Sequence, residues 1–275
     1  MLVLSACTDG PIVPGAAPAS TRIAEVRELR DALAEPAVAL GRAGTRLAAA
    51  VRALRTAPAE DPEVRPAAVA GARSQSLAAL ERALSSAQRL PIDGTGPDAT
   101  ATRDAWAEVV AAADELRSAA DSELELIGRL AAVDAELEEL ILVWDEPGSR
   151  QQQLDAFGEA ADRAEVLATE LSAELQAHAC TDDVQRRVDA ATFVASATRE
   201  LRQHVAAHRG DAFDRRRAEL AQDPFGLGAP LTSAGDGDCW EEHAPTAIAV
   251  TRLTASLDAV ERALNPTDLG SPDAG

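Results

Sequence analysis

Between Asp98 and Trp144 the chain runs without a proline, and in the second half of that stretch Leu126, Leu130, Val133, Leu137, Leu140 and Trp144 recur at alternating steps of four and three. Such spacing puts all six on one stripe of an α-helix, the seam of helices that pack at shallow angles. It predicts a helix capped at Asp98 or Thr100, ending near Trp144 and, if Gly128 does not relax it midway, about 70 Å long. A helix of that length cannot hide its stripe alone. The rest of the chain must therefore supply partners.

Those partners read as helices too. Leu33, Ala37, Leu40, Gly44, Leu47, Val51 and Leu54 mark a seam over Thr21 to Thr56, with Ser20 as N-cap and Pro36 as a kink or a new start. Leu77, Leu80 and Leu84 mark a second helix over Ala67 to Leu90. After the Pro147-Gly148 reversal, Arg150 to Ala179 returns with Leu154, Phe157, Ala161, Ala164, Ala168, Leu171 and Leu175, and should form an antiparallel hairpin with the long helix. Its small alanines would let the two backbones approach closely. A helix capped at Thr181 or Asp182 runs to about Arg209, where Gly210 should break it before a shorter, Arg-rich piece from Asp211 to Gln222. A Gly, Pro and Ser loop follows, and Glu241 to Leu264 forms the last helix before Asn265-Pro266.

Composition agrees. Apolar residues make up 46% of the chain but aromatics only 3%, with no tyrosine. Much of the apolar fraction is alanine, which favours closely packed helices over sheets. No segment alternates with period two for long enough to be a strand. The expected fold class is all-α: an elongated antiparallel bundle of about six helices with coiled-coil-like packing over residues 21–265. Residues 266–275 are expected to be a disordered tail. A formal charge of −20 excludes nucleic acid as a partner, because phosphate binding needs clustered cations.

Leu4-Ser5-Ala6-Cys7 resembles the lipobox of bacterial lipoproteins, in which a signal peptidase cuts before the cysteine and a lipid is attached to its sulfur. The apolar Leu2-Val3-Leu4 before it reads as the tail of a signal core. On this resemblance residues 1–6 are a truncated signal-peptide remnant, and residues 7–20, rich in Pro, Gly and Ala, a lipid-anchored flexible tether. It implies an extracytoplasmic location and membrane attachment through lipid on Cys7, with two or more acyl chains sufficing for stable anchoring.

In an exported chain the two remaining cysteines, Cys180 and Cys239, would form a disulfide. The long loop before the last helix would then be a crossover that lets that helix start where its predecessor does. Closing about sixty residues would stabilise by roughly 4 kcal/mol in the chain-entropy model. Two free buried thiols are the alternative.

Other site candidates are weaker. Glu200, His204 and His208 lie at steps of four and could present three metal ligands in a row, although His208 falls on the apolar stripe and no HExxH pattern is present. Glu174 and His178 repeat the step too far away to share one ion. Asp236, Asp238, Glu241 and Glu242 could hold calcium or cap the last helix. Arg215, Arg216 and Arg217 could dock an acidic partner or pair with acidic helix faces. No nucleophile elbow, phosphate loop or Cys-His pair is visible, so neither catalysis nor a cofactor is expected. The reading is a non-enzymatic interaction or scaffold protein of the cell envelope, with a possible envelope protein as partner. A metal- or small-ligand-binding bundle is the alternative.

Overall fold

The computed structural model describes residues 19–56, 64–92, 97–175, 182–228, 231 and 244–264, and among them every regular element is helical. They are α1 (Ala19–Thr56), α2 (Val64–Ala72), a π-helical turn (Arg73–Leu77), α3 (Ala78–Gln88), α4 (Pro97–Leu142) with a 3-10 turn (Val143–Asp145), α5 (Arg150–Glu174), α6 (Asp182–Ala206), α7 (Gly210–Leu220) and α8 (Pro245–Ala263). The all-α class stands.

Helix α4 organises the molecule. Its 46 residues are unbroken at Gly128 and span about 69 Å. Pro97 occupies the first helical position, where its missing N–H costs nothing, so the helix begins ahead of Asp98 and Thr100. Gly128 lies beside Val69 of α2, with room for a Cβ at ordinary contact distance.

Two large apolar cores share this helix, with a smaller cluster of Leu126, Leu130, Leu171 and Val184 between them. Around its N-terminal part, Trp106, Val109, Ala113, Leu116, Ala120 and Leu124 pack with Leu33, Leu40, Leu47 and Val51 of α1, Leu80 and Leu84 of α3, and Leu253 and Val260 of α8. Around its C-terminal part, Leu137 and Trp144 pack with Phe157, Ala164 and Leu167 of α5, Val194 and Leu201 of α6, and Leu220 and Phe225. Helix α8 runs antiparallel to α4, with Arg252 facing Glu115 and Thr246 facing Glu123. Helix α6 runs parallel to it, with Arg187 facing Asp134 and Trp144 facing Thr198.

Several local expectations are corrected. Helix α1 starts at Ala19, placing Ser20 inside it, and continues through Pro36; Leu33 and Leu40, both buried, hold the chain on either side of that proline. The segment around Ala72 has buried residues at 69, 72, 77, 80, 84 and 87. The step of five between Ala72 and Leu77 is the one a regular helix cannot keep on its stripe, and the π turn absorbs it.

The alanine seam of α5 packs chiefly on α6 rather than on α4. Both α5 (Ala160, Ala161, Ala164) and α6 (Ala190, Ala191, Ala195) present buried alanine, whereas α4 presents Leu130 and Leu137 there. Small residues on both sides let the α5 and α6 backbones approach closely. Helix α5 still returns antiparallel along α4, tied by Arg163–Glu136 and Arg129–Glu174. It opens on a full capping box, Ser149 with Gln152.

Helix α6 ends at Ala206, before Gly210. The reversal falls at His208, whose φ is +56°, and Gly210 opens α7 instead. Helices α6 and α8 serve different cores: α8 the first, and α6 the second together with the small cluster around Val184.

Candidate functional site

The feature that sequence spacing did not disclose is a buried charge cluster where the two cores meet on α4. Asp134, 3% exposed, accepts two hydrogen bonds from Arg187 of α6, from Nε and Nη2, each 2.7 Å long. Arg187 also donates from Nη1 to the Asp183 carbonyl at 2.9 Å. Arg65 of α2 brings Nη1 to 3.8 Å from the same carboxylate and donates Nη2 to the Leu54 carbonyl at 3.2 Å. About three turns earlier on α4, Glu123 pairs with Arg55 of α1 at 2.8 Å.

The other Glu123 oxygen accepts the backbone N–H of Thr246 at 3.0 Å. Thr246 lies in the first turn of α8, whose own N-cap residue Ala244 offers no side-chain bond. Helix α8 is thus capped by a carboxylate from another helix, which satisfies an orphan donor and complements the positive end of the helix dipole.

Burial holds the Arg55 guanidinium down to about 10, against the opposing pull of Glu123 and Asp183. Arg65 is lowered for the same first reason, helped by the neighbouring positive charge of Arg187 and opposed by Asp134 and Asp183. Asp183, at the start of α6, therefore acts on arginines from α1 and α2. This arrangement is an ion-paired joint: Asp134 is held by Arg187 and Arg65, and Glu123 by Arg55 and the Thr246 backbone.

The sequence candidates are not assembled into a centre. His204 Nε2 lies 3.9 Å from Glu200, but the other Glu200 oxygen is taken by Arg216 Nε at 2.9 Å. His208 is exposed beyond the end of the helix, not on an inward stripe, so the step of four from His204 no longer keeps the two on one face. Among the described residues no three His, Cys, Asp or Glu side chains converge to hold a metal ion. Arg216 pairs with Glu200 and Glu219, and Arg217 pairs with Asp145 and lies over the Phe213 ring, so these two serve neighbouring helices. Glu174 pairs with Arg129. Cys7, His178, Cys180, Cys239 and the acidic run Asp236 to Glu242 lie outside the described residues.

A shallow groove of about 390 Å³ lies between α5 and α6, lined by Leu154, Gly158, Asp162, Arg199, Arg202 and Gln203 among others. Its cations are engaged: Arg199 with Glu165, and Arg202, lying across Gly158, with the Leu154 carbonyl. Exposed large apolar side chains fall on five different helices, at Val38, Val64, Leu142, Val166 and Ile248. No helix among the described residues is long and apolar enough to cross a membrane. No family model, curated protein or solved structure matches the chain.

Proposed function

We propose that the protein is a lipoprotein of the cell envelope, lipidated at Cys7, whose helical body is a non-enzymatic scaffold or interaction module. The observation that carries this reading is where α1 begins. Helix α1 runs parallel to α4, with Gly44 beside Leu116 and Arg55 beside Glu123. Its first residues therefore lie at the end of the body farthest from α5, α6 and α7. A tether from Cys7 entering there would hold the molecule by one end, with α4 directed away from the bilayer and the second core held outermost. Solid apolar cores and paired charges suit a spacer that presents a surface at a set height.

The second part of the proposal is the Cys180–Cys239 bridge. Helix α6 keeps a constant offset of 53–54 residues from α4, so Asp182 stands level with about residue 129. Helix α8, with Thr246 at Glu123, starts level with about residue 124. The helices following the two cysteines thus start within about 8 Å of each other along α4, which favours a link between the segments leading into them.

The test is metabolic labelling with an alkyne fatty acid of the chain carried by a working export signal, with Cys7→Ser as control. Label on the native chain and none on the variant is expected; an unlabelled native chain refutes the anchor. Non-reducing mass analysis of the same sample should find no free thiol at 180 or 239. Two free thiols would remove the bridge and leave the anchor standing.

A further inference from the structure

We infer that α8 is a detachable strap, occupying in cis a groove between α1 and α4 that is shaped for a helix carrying leucines four residues apart. The groove is specific. A Cβ on Gly44 would stand 2.8 Å from Leu253 and 3.0 Å from Leu116, and one on Gly41 would stand 3.3 Å from Leu257. The two glycines form notches that receive successive α8 leucines, so the surface of α1 is cut to this guest.

The guest depends on its host. Its 19 residues draw most of their stability from packing on α1 and α4 rather than from intrinsic propensity. Its fully buried face is small, consisting of Thr246, Ala249, Leu253 and Val260. Its N-terminal cap exists only while it is docked, because the capping oxygen belongs to Glu123 on α4. Its other polar tie, Arg252 to Glu115, is exposed and weak. Host and guest are thus unequal. When α8 leaves, Glu123 keeps its ion pair with Arg55 and the remaining helices of the first core keep one another, whereas α8 loses both its cap and its apolar partners at once. Loss of cap and packing together makes its opening cooperative, a local unit beneath global unfolding.

Hydrogen exchange on the full chain, resolved by peptide, tests this. In the native protein the amides of 246–263 should exchange together and at least tenfold faster than those of 109–127 on α4. Glu123→Ala should speed exchange across α8 by a further tenfold or more, the consequence of losing a charged cap. Gly44→Ala, which leaves every charge in place, should raise exchange most in α8 through its 2.8 Å clash with Leu253, and less in the neighbouring stretch of α4 through Leu116 at 3.0 Å. Helices α5 and α6 should be unchanged in the Gly44 variant. Exchange of α8 at the same rate as α4 in the native protein overturns the inference, and so does a Gly44→Ala effect spread evenly over all helices.

Discussion

Removal of the Asp134 carboxylate should be among the most damaging single changes available in this chain. The side chains of Asp134 and Arg187 are each 4% exposed, and their paired 2.7 Å bonds leave the guanidinium no access to water. In Asp134→Ala, Arg187 stays buried without a counter-charge, and Arg65 loses the carboxylate that offsets its burial and its repulsion from Arg187. An orphaned charge of this kind costs about 3–5 kcal/mol. With a urea slope of about 3 kcal/mol per molar, the midpoint should fall by about 1–1.7 M. Glu136→Ala is the internal reference: it breaks the exposed pair with Arg163 on the same helix, where the loss should stay under about 1 kcal/mol. Urea unfolding followed by far-ultraviolet dichroism measures both. If the Asp134 variant moves no further than the Glu136 variant, the site is wet and the reasoning fails. Replacing both partners, Asp134→Leu with Arg187→Met, should recover most of the loss, since an apolar pair of similar volume removes the desolvation penalty on both sides.

The loop after α7 offers a paired test. Gly226→Ala combines a φ of +68° with a Cβ 2.5 Å from the Phe193 ring, whereas Gly228→Ala has a φ of +63° and open space; thermal melts should show a loss of about 1 kcal/mol at 228 and clearly more at 226. Ser149→Ala removes the α5 capping box and should cost about 1 kcal/mol by the same measurement. The absence of lysine and tyrosine leaves little else to titrate near pH 10. Arg55, held at about 10 in the fold against 12.5 when free, deprotonates first in the folded state. The unfolded state then binds more protons, so stability rises with pH through that window. The urea midpoint of the native chain should therefore gain on that of Arg55→Met between about pH 9 and 11, and a gap that stays constant or narrows would count against the buried Arg55.

The seams that carry the fold were legible because leucine spacing reports directly which face is buried. All-α class, the reversal at Pro147-Gly148 and the start of α5 at Arg150 follow from that and from turn chemistry, whereas the passage of α4 through Gly128 stayed open. Partner choice was not legible. The alanines of α5 signal close approach, but only the matching alanines of α6, on a segment read separately, say to which helix. The break at His208 was missed because glycine is the expected residue at a positive φ and Gly210 stood two residues away. The buried charges were invisible for a different reason. Glu123, Asp134 and Arg187 sit among many exposed acids and arginines of the same kind, and nothing in their own helices distinguishes them. A faint signal exists: Asp134 falls between Leu130 and Leu137, adjacent to the α4 seam, where an exposed acid would not be expected.

That position explains what the charges contribute beyond stability. Seams of leucine and alanine are nearly periodic, so sliding one helix by two turns exchanges one apolar contact for another at small cost. The charged positions are not interchangeable in this way. Moved by seven residues along α4, Arg187 would face Ile127 or Ile141 in place of Asp134, and the uncapped start of α8 would meet Leu116 or Leu130 in place of Glu123. Either slip buries a cation or a backbone donor against hydrocarbon, at a cost of several kcal/mol. The two carboxylates therefore fix where the helices of each core stop along the one helix they share. On this account the Asp134→Leu, Arg187→Met double variant recovers stability while losing register. Its α6 amides should give more than one set of resonances, and a single sharp set would show that packing alone fixes α6.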